Sequence, residues 1–373
     1  MKPLVLAYCR EGFENEAGEE LAARAVEILG LRRKPVPVMR ANAAFAYLPL
    51  ANVEELLGLR KKLDFDSLVF ARQIAFGFGP LELGDVRDRA APIAAAALDT
   101  IFAAAGIQYN KLAVTFPDNN DGKELTRFAK LVHPAMSKSL GKSGFVAKAG
   151  ARGLPTFNVF FYDKAKSAML TWIDPGNSSP WLDGVARLKF PPSAPSRSTL
   201  KLEEAFHVFM DKDQRDQLLR PGLTVVDLGA SPGGWTWQFV HREMFVTAVD
   251  NGNMDDALMA SGMVDHKATD AFRYVPKSPV DWMVCDVVEQ PSRVAKLAAQ
   301  WIKDGNCRNL VVNLKLPMKQ RREEVLKCLD ILREAAASAR GASSKRPWQF
   351  AARQLYHDRR EVTVFASSLI HSI

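Results

Sequence analysis

Short apolar runs alternate with helix-period segments along the whole chain, but in two rhythms. In the first half, Leu4–Tyr8, Ala43–Leu48, Asp66–Ile74, Leu112–Phe116, Phe157–Tyr162 and Ala168–Ile173 have strand character. Glu14–Leu29, Val53–Lys61 and an alanine-rich stretch at about 85–106 predict helices. Together they read as a mixed α+β region. Pro175, Gly176, Ser178, Ser179 and Pro180, then Pro191, Pro192, Ser193, Pro195 and Ser196, punctuate a boundary near 175–197. Beyond it, Thr224–Asp227, Phe245–Asp250, Trp282–Asp286 and Leu310–Leu316 predict strands, most with helical segments between them. That rhythm implies an α/β fold with a largely parallel sheet covered on both faces. The last runs, Trp348–Tyr356 and Glu361–Ser367, are four residues apart. Such a gap allows only an antiparallel pair. A helix at 200–210 carries the stripe Leu202, Ala205, Phe206 and Phe209, and Lys201 opens it, either as one surface lysine among many or as a cation set against the helix dipole.

Composition narrows the class without choosing a function. The 373 residues are 47% hydrophobic and 25% charged, which excludes a fibrous or wholly disordered chain and leaves room for two or three domains. The net charge of +8 is unevenly spread. Residues 121–170 carry nine Lys or Arg against Asp121, Glu124 and Asp163, among them Lys123, Arg127, Lys130, Lys138, Lys142, Lys148 and Arg152. Such a stretch is either a solvated face or a track for a phosphate backbone. A second basic cluster, Lys345, Arg346, Arg353, Arg359 and Arg360, lies near the C-terminus. Cys9, Cys285, Cys307 and Cys328 form no C-x-x-C pair, so they read as reduced thiols and offer no metal site. The most membrane-like stretch, Ala90–Ile107, contains Asp99 and nine alanines and is too weakly apolar to span a bilayer. No secretory signal is expected, and the expected location is the cytoplasm.

The sharpest local feature is Val225-Val226-Asp227-Leu228-Gly229-Ala230-Ser231-Pro232-Gly233-Gly234-Trp235, a strand, a glycine turn and the start of a helix. In an open α/β sheet a ligand lies beyond the carboxyl ends of the strands. The spacing G-x-x-x-G-G is neither the dinucleotide fingerprint nor a P-loop. Asp250 ends the next strand, where a carboxylate accepts from ribose hydroxyls, and Asp270 follows, placed for an adenine edge. Singly these are ordinary loop aspartates. As an ordered set they suggest ribose and adenine without pyrophosphate, hence S-adenosylmethionine.

Charged residues also stand at other strand ends. Asp286 follows Trp282–Cys285, and Lys315 interrupts Val311–Leu316. A lysine in a buried strand is costly without partners, although a strand-end lysine also snorkels to water. Glu361 opens the last strand. If that strand is antiparallel to the rest, Asp286, Lys315 and Glu361 converge on one edge, within reach of Lys201.

Lys201, Asp286, Lys315 and Glu361, arranged around the Asp227–Trp235 loop, resemble the K-D-K-E tetrad of the FtsJ-like ribose 2′-O-methyltransferases. The flanks Ser198–Phe206, Asn313–Lys319 and Leu355–Glu361 resemble the branch acting on large-subunit (23S) ribosomal RNA. The resemblance implies a ferredoxin-like domain at 1–62, a THUMP-like RNA-binding domain at 63–175, a linker at 176–197 and a Rossmann-like methyltransferase domain at 198–373. It implies 2′-O-methylation of a cytidine in 23S ribosomal RNA, free or in an assembling subunit, by a monomer. The basic stretch 121–170 and the C-terminal basic residues would contact RNA. Ser198, Asp227, Gly229, Ser231, Pro232, Gly233, Gly234, Trp235, Asp250, Asp270 and Asp286 would bind S-adenosylmethionine. Lys315 would be the general base, which requires a pKa near 7–8. Burial and the Lys201 cation would lower it. Asp286 would orient Lys315, and Glu361 would position Lys201 or the ribose.

Rival readings fare worse. Cys285-Asp286-Val287-Val288-Glu289-Gln290-Pro291 lacks the Asn/Asp-Pro-Pro-aromatic segment of amino-group methyltransferases. Cys285 should point opposite to Asp286, into the core, which disfavours a cysteine nucleophile for pyrimidine methylation. Another structured RNA as substrate, a non-catalytic RNA-binding protein and an oxidoreductase on the same fold remain as alternatives.

Overall fold

A computed structural model describes residues 1–84, 88–99, 108–141, 146, 151–339 and 347–370. They form two compact units, Met1–Val185 and Ala186–Ile373, which divide inside the linker expected at 176–197.

The first unit runs β1 (Lys2–Tyr8), α1 (Glu14–Leu29), β2 (Val38–Met39), β3 (Phe45–Pro49), α2 (Val53–Lys62), β4 (Gln73–Glu82), α3 (Ala90–Ala97), β5 (Lys111–Thr115), α4 (Asn120–Leu140), β6 (Thr156–Tyr162) and β7 (Ser167–Ile173). Its seven strands form one sheet, ordered β2-β3-β1-β4-β7-β6-β5. β4 pairs with β1 from Lys2↔Gly79 to Tyr8↔Gln73, so the division expected at 62/63 falls inside this continuous sheet. The alanine-rich helix is described only as α3. Residues 85–87 and 100–106 of that expectation, with Lys142, Lys148, Lys345 and Arg346, lie outside the described residues.

The strand expected at Asp66–Ile74 is a correction. Phe65–Ser67 is a 3₁₀ turn, with Asp64 accepting from Asp66 N at 3.0 Å. Val69 N and Phe70 N donate to the buried Glu20 carboxylate at 2.8 and 3.0 Å. A side chain thus takes the hydrogen bonds that a neighbouring strand would have taken, and β4 begins only at Gln73.

The second unit runs α5 (Thr199–Phe209), α6 (Lys212–Leu218), β8 (Thr224–Leu228), α7 (Gly234–Val240), β9 (Phe245–Val249), α8 (Asp256–Ala260), β10 (Val264–Lys267), β11 (Val280–Cys285), α9 (Pro291–Asp304), β12 (Cys307–Lys315), α10 (Arg321–Ala337), β13 (Gln349–Arg353) and β14 (Glu361–Ser367). The sheet order is β10-β9-β8-β11-β12-β14-β13. Pairing is parallel from β10 to β12 and antiparallel at β12/β14 and β14/β13. Strand order reverses between β8 and β11, the place where open α/β sheets leave a crevice at their carboxyl ends. The expected stripe Leu202, Ala205, Phe206 and Phe209 packs α5 against Trp282, Val284, Val311 and Phe365. The short β10 was missed, because Val-Asp-His-Lys offers no apolar run. Among the described residues, no helix is long and apolar enough to cross a membrane.

Candidate active site

On the sheet face covered by α5, three strands change character at the same edge. β11 reads Trp282, Val284 and, one step past its end, Asp286; β12 reads Val311, Asn313, Lys315. β14 runs the other way and reads Phe365, Thr363, Glu361. Side chains alternate faces along a strand, so each series shares one side. The antiparallel register sets Asn313 opposite Thr363 and Lys315 opposite Glu361. Each apolar row therefore ends in a charge at the sheet's carboxyl edge.

The fourth charge arrives from α5, whose buried stripe leaves Lys201 in its first turn. Lys201 Nζ donates to Glu361 Oε2 at 2.6 Å and to Asp286 Oδ2 at 3.3 Å. Lys315 Nζ donates to Asp286 Oδ1 and lies 3.0 Å from Glu361 Oε2. The structure thus brings all four together, with side chains 13–19% exposed. Burial pulls the Lys201 ammonium down, but Asp286 and Glu361 outweigh it and hold the group above its ordinary value.

The glycine turn lies beside them. Gly229 has φ +80, and a Cβ there would fall 2.6 Å from Val287 Cγ1, so the loop after β11 leaves room only for glycine. At Gly234 a Cβ would meet the hydroxyls of Ser196 and Ser198 at 2.2 Å. Trp235 Nε1 donates to Ser198 O at 3.0 Å, tying α7 to the start of α5. Asp250 closes the turn: its oxygens accept from Ser231 N at 3.1 Å and Gly252 N at 2.7 Å. Gly233 (φ +118) and Pro232 complete the loop, whose Pro232 O accepts from Asp255 N at 3.0 Å.

Two aspartates stand differently. Asp227 is 1% exposed and accepts from Thr236 Oγ1 at 2.7 Å. Burial, with Asp286 and Asp250 adding to it against the Thr236 bond, pushes its carboxyl up to about 7. Asp270 is more exposed and bonds locally, accepting from Phe272 N at 2.9 Å. Cys285 is fully buried, and burial pushes its thiol up to about 12, so it offers no thiolate.

Sequence reasoning missed the supports. Asn313 Nδ2 donates to Asp286 Oδ1 at 3.2 Å and to Glu361 Oε2 at 3.1 Å. Its signal was available: it lies two residues before Lys315 and hence on the same face. Glu204, one turn after Lys201, accepts from Tyr356 N and His357 N at 2.8 Å each and from His357 Nδ1 at 2.6 Å. One helix therefore supplies a site lysine and anchors the loop that leads to Glu361. In the first unit, Lys123, Arg127, Lys130 and Lys138 are exposed on α4. Of the C-terminal basic cluster, Arg359 and Arg360 are exposed, whereas Arg353 is buried in β13 and unavailable to RNA.

A strand–glycine turn–helix at a switch point, next to paired lysines and carboxylates, is an arrangement of methyltransferase domains. The FtsJ-like methyltransferase family model matches residues 194–333, and that of the RlmM ferredoxin-like domain matches residues 1–75. The ribosomal RNA large subunit methyltransferase M of Methylococcus capsulatus is 46% identical over 97% of both chains. The proteins of the same name from Azotobacter vinelandii and Thauera aminoaromatica are 44% identical over 96% of both chains and 42% identical over 97% of this chain and 95% of the relative. The chain belongs to the ribosomal RNA large subunit methyltransferase M family.

Proposed function

We propose that the protein methylates the ribose 2′-hydroxyl of a cytidine in 23S ribosomal RNA, with S-adenosylmethionine as donor. The observation that carries this reading is the meeting of Lys201, Asp286, Lys315 and Glu361 at the carboxyl edge beside the glycine turn. The relatives' name supports the RNA class. The residues present suit a nucleoside donor: Asp250 offers carboxylate lone pairs to a ribose diol, and Gly229, Gly233 and Gly234 let the turn pack closely against Val287, Leu258 and the hydroxyls of Ser196 and Ser198. Ser198, Ser231 and Trp235, tied together at that turn, are assigned to the donor, and Asp270 to the adenine edge.

When bound, S-adenosylmethionine supplies an electrophilic methyl group. Lys315 Nζ accepts the proton of the 2′-hydroxyl as the oxygen attacks. Asp286 and Glu361 hold that amine in line, and Lys201 remains protonated and keeps Glu361 in place. Asp227 fixes the start of α7 through Thr236. Exposed lysines and arginines of the 121–170 stretch hold the RNA backbone.

The test is ribose-methylation mapping on ribosomal RNA from cells with and without the protein, repeated with purified protein and donor. A 2′-O-methyl group blocks alkaline cleavage at its own 3′ phosphodiester. Loss of one protected cytidine in 23S RNA, restored in vitro, is expected. An unchanged protection pattern would refute the reading, and a lost protection in another RNA would move the substrate.

A further inference from the structure

Beneath the tetrad, Asn313, Thr363 and Asp358 form a chain of three buried polar side chains. Asn313 faces two carboxylates, Asp286 Oδ1 at 3.2 Å and Glu361 Oε2 at 3.1 Å. Only an NH₂ group satisfies both; the flipped amide would set its carbonyl against two anions. Asn313 Oδ1 therefore points the other way, to Thr363 Oγ1 at 2.7 Å. That oxygen only accepts, so Thr363 spends its single proton there. Thr363 Oγ1 also lies 2.8 Å from Asp358 Oδ2. Two oxygens at that distance share a proton, and Thr363 has none left to give.

We propose that Asp358 works as a neutral carboxylic acid, a positioning residue that donates to Thr363 and so fixes the Asn313 amide against Asp286 and Glu361. The inference rests on the ribose-methylation reading for its catalytic consequence, but the proton itself does not. Leu355 N, 3.2 Å away, donates to a remaining lone pair of the same oxygen. The surroundings agree. Asp358 is 0% exposed, and burial, with the charges of Glu361 and Glu204, holds its carboxyl well above the ordinary range despite the Lys201 cation. An ionised Asp358 would draw the Thr363 proton to itself. The Asn313 carbonyl would lose its donor, and the brace between the two site carboxylates would be free to turn.

The test uses the full chain in four forms: wild type, Asp358→Asn, Asp358→Leu and Thr363→Val. Infrared difference spectra at neutral pH, wild type minus Asp358→Asn, are expected to show a carboxylic-acid C=O stretch. Its absence would overturn the proposal whatever the activity. In methyl transfer, Asp358→Leu and Thr363→Val are expected to lower kcat by about 10²-fold, the order expected for a misplaced reacting group, with little change in KM for RNA. Asp358→Asn, which restores an N–H donor, should recover most of what Asp358→Leu loses. A folded Asp358→Asn as impaired as Asp358→Leu would sink the idea. If Asp358→Leu does not fold, the spectrum and Thr363→Val decide, since Thr363→Val with wild-type kcat is equally fatal. A wild type without ribose methylation would defeat the functional reading while leaving the infrared band to report on Asp358.

Discussion

Lys201 Nζ and Glu361 Oε2 are 2.6 Å apart, although 160 residues separate them in the chain. The contact exists because α5 precedes the whole sheet while β14 runs against it, so the helix start and the strand start meet at one edge. Its electrostatics suit Lys201 to the role of a fixed cation. Lys201 is held protonated above its ordinary value by Asp286 and Glu361 despite burial, and a permanent cation is what guanidinium also supplies. Lys201→Arg should therefore keep a substantial part of single-turnover methyl transfer, and Lys201→Ala should lose most of it. Equal loss in both variants would show that the position needs more than a charge.

Lys315 should behave in the opposite way. As general base it must release its proton before the hydroxyl can give one up. Lys315→Ala should lower single-turnover rates by about 10²–10⁴ and leave donor affinity nearly intact. Lys315→Arg should not rescue, because a guanidinium stays protonated at any working pH. Substantial activity in Lys315→Arg would remove the base role and leave positioning alone.

Asp250 is assigned to the donor's ribose. Calorimetry with S-adenosylmethionine should show affinity falling by about 10–100-fold in Asp250→Ala, the equivalent of one charged hydrogen bond of roughly 1.5–3 kcal/mol. Unchanged affinity would confine Asp250 to bracing Ser231 N and Gly252 N.

Asp227 makes a stability prediction with a definite sign. Its carboxyl is pushed from 3.8 to about 7 by burial, so the folded chain binds this proton more tightly than the unfolded one. Its contribution is fully present below pH 3.8 and declines until pH passes about 7. Asp227→Asn has nothing to ionise. In urea unfolding, its stability relative to wild type should rise with pH across that window and then level off. The rise is at most roughly 4 kcal/mol, at 1.36 kcal/mol per pKa unit. A difference flat between pH 4 and 8 would contradict the buried neutral acid.

RNA capture is the remaining prediction. At 3.6 residues per turn, Lys123, Arg127, Lys130 and Lys138 share one stripe of α4. Replacing all four by Gln should weaken RNA binding and reduce the salt slope by about one for each phosphate no longer neutralised. An unchanged slope in filter-binding titrations would show that this stripe faces only solvent.

Much of this was legible locally. Residues 45–47, 157–161 and 310–314 alternate or run apolar over strand lengths, and that pattern needs no knowledge of the partner strand. The glycine turn after β8 was readable for the same reason: its backbone demands are met by Gly229 and Gly233 themselves. The charged residues at strand ends stood out because each interrupts its own apolar row. Register, by contrast, is a property of two segments. Only the antiparallel pairing of β12 with β14 sets Asn313 opposite Thr363 and makes Asn313 a brace rather than a lone polar residue in a strand. The same holds for Glu20, which takes Val69 N and Phe70 N and so cancels a strand that the apolar run 68–71 had promised. It holds too for Arg353, whose charge counted toward a basic surface until the fold buried it in β13. Backbone propensity and side-chain chemistry act within a few residues and are written in order. Burial, protonation and the choice of hydrogen-bond partner depend on what the folded chain brings within hydrogen-bonding distance, which is why the tetrad's members were visible beforehand and the network that holds them was not.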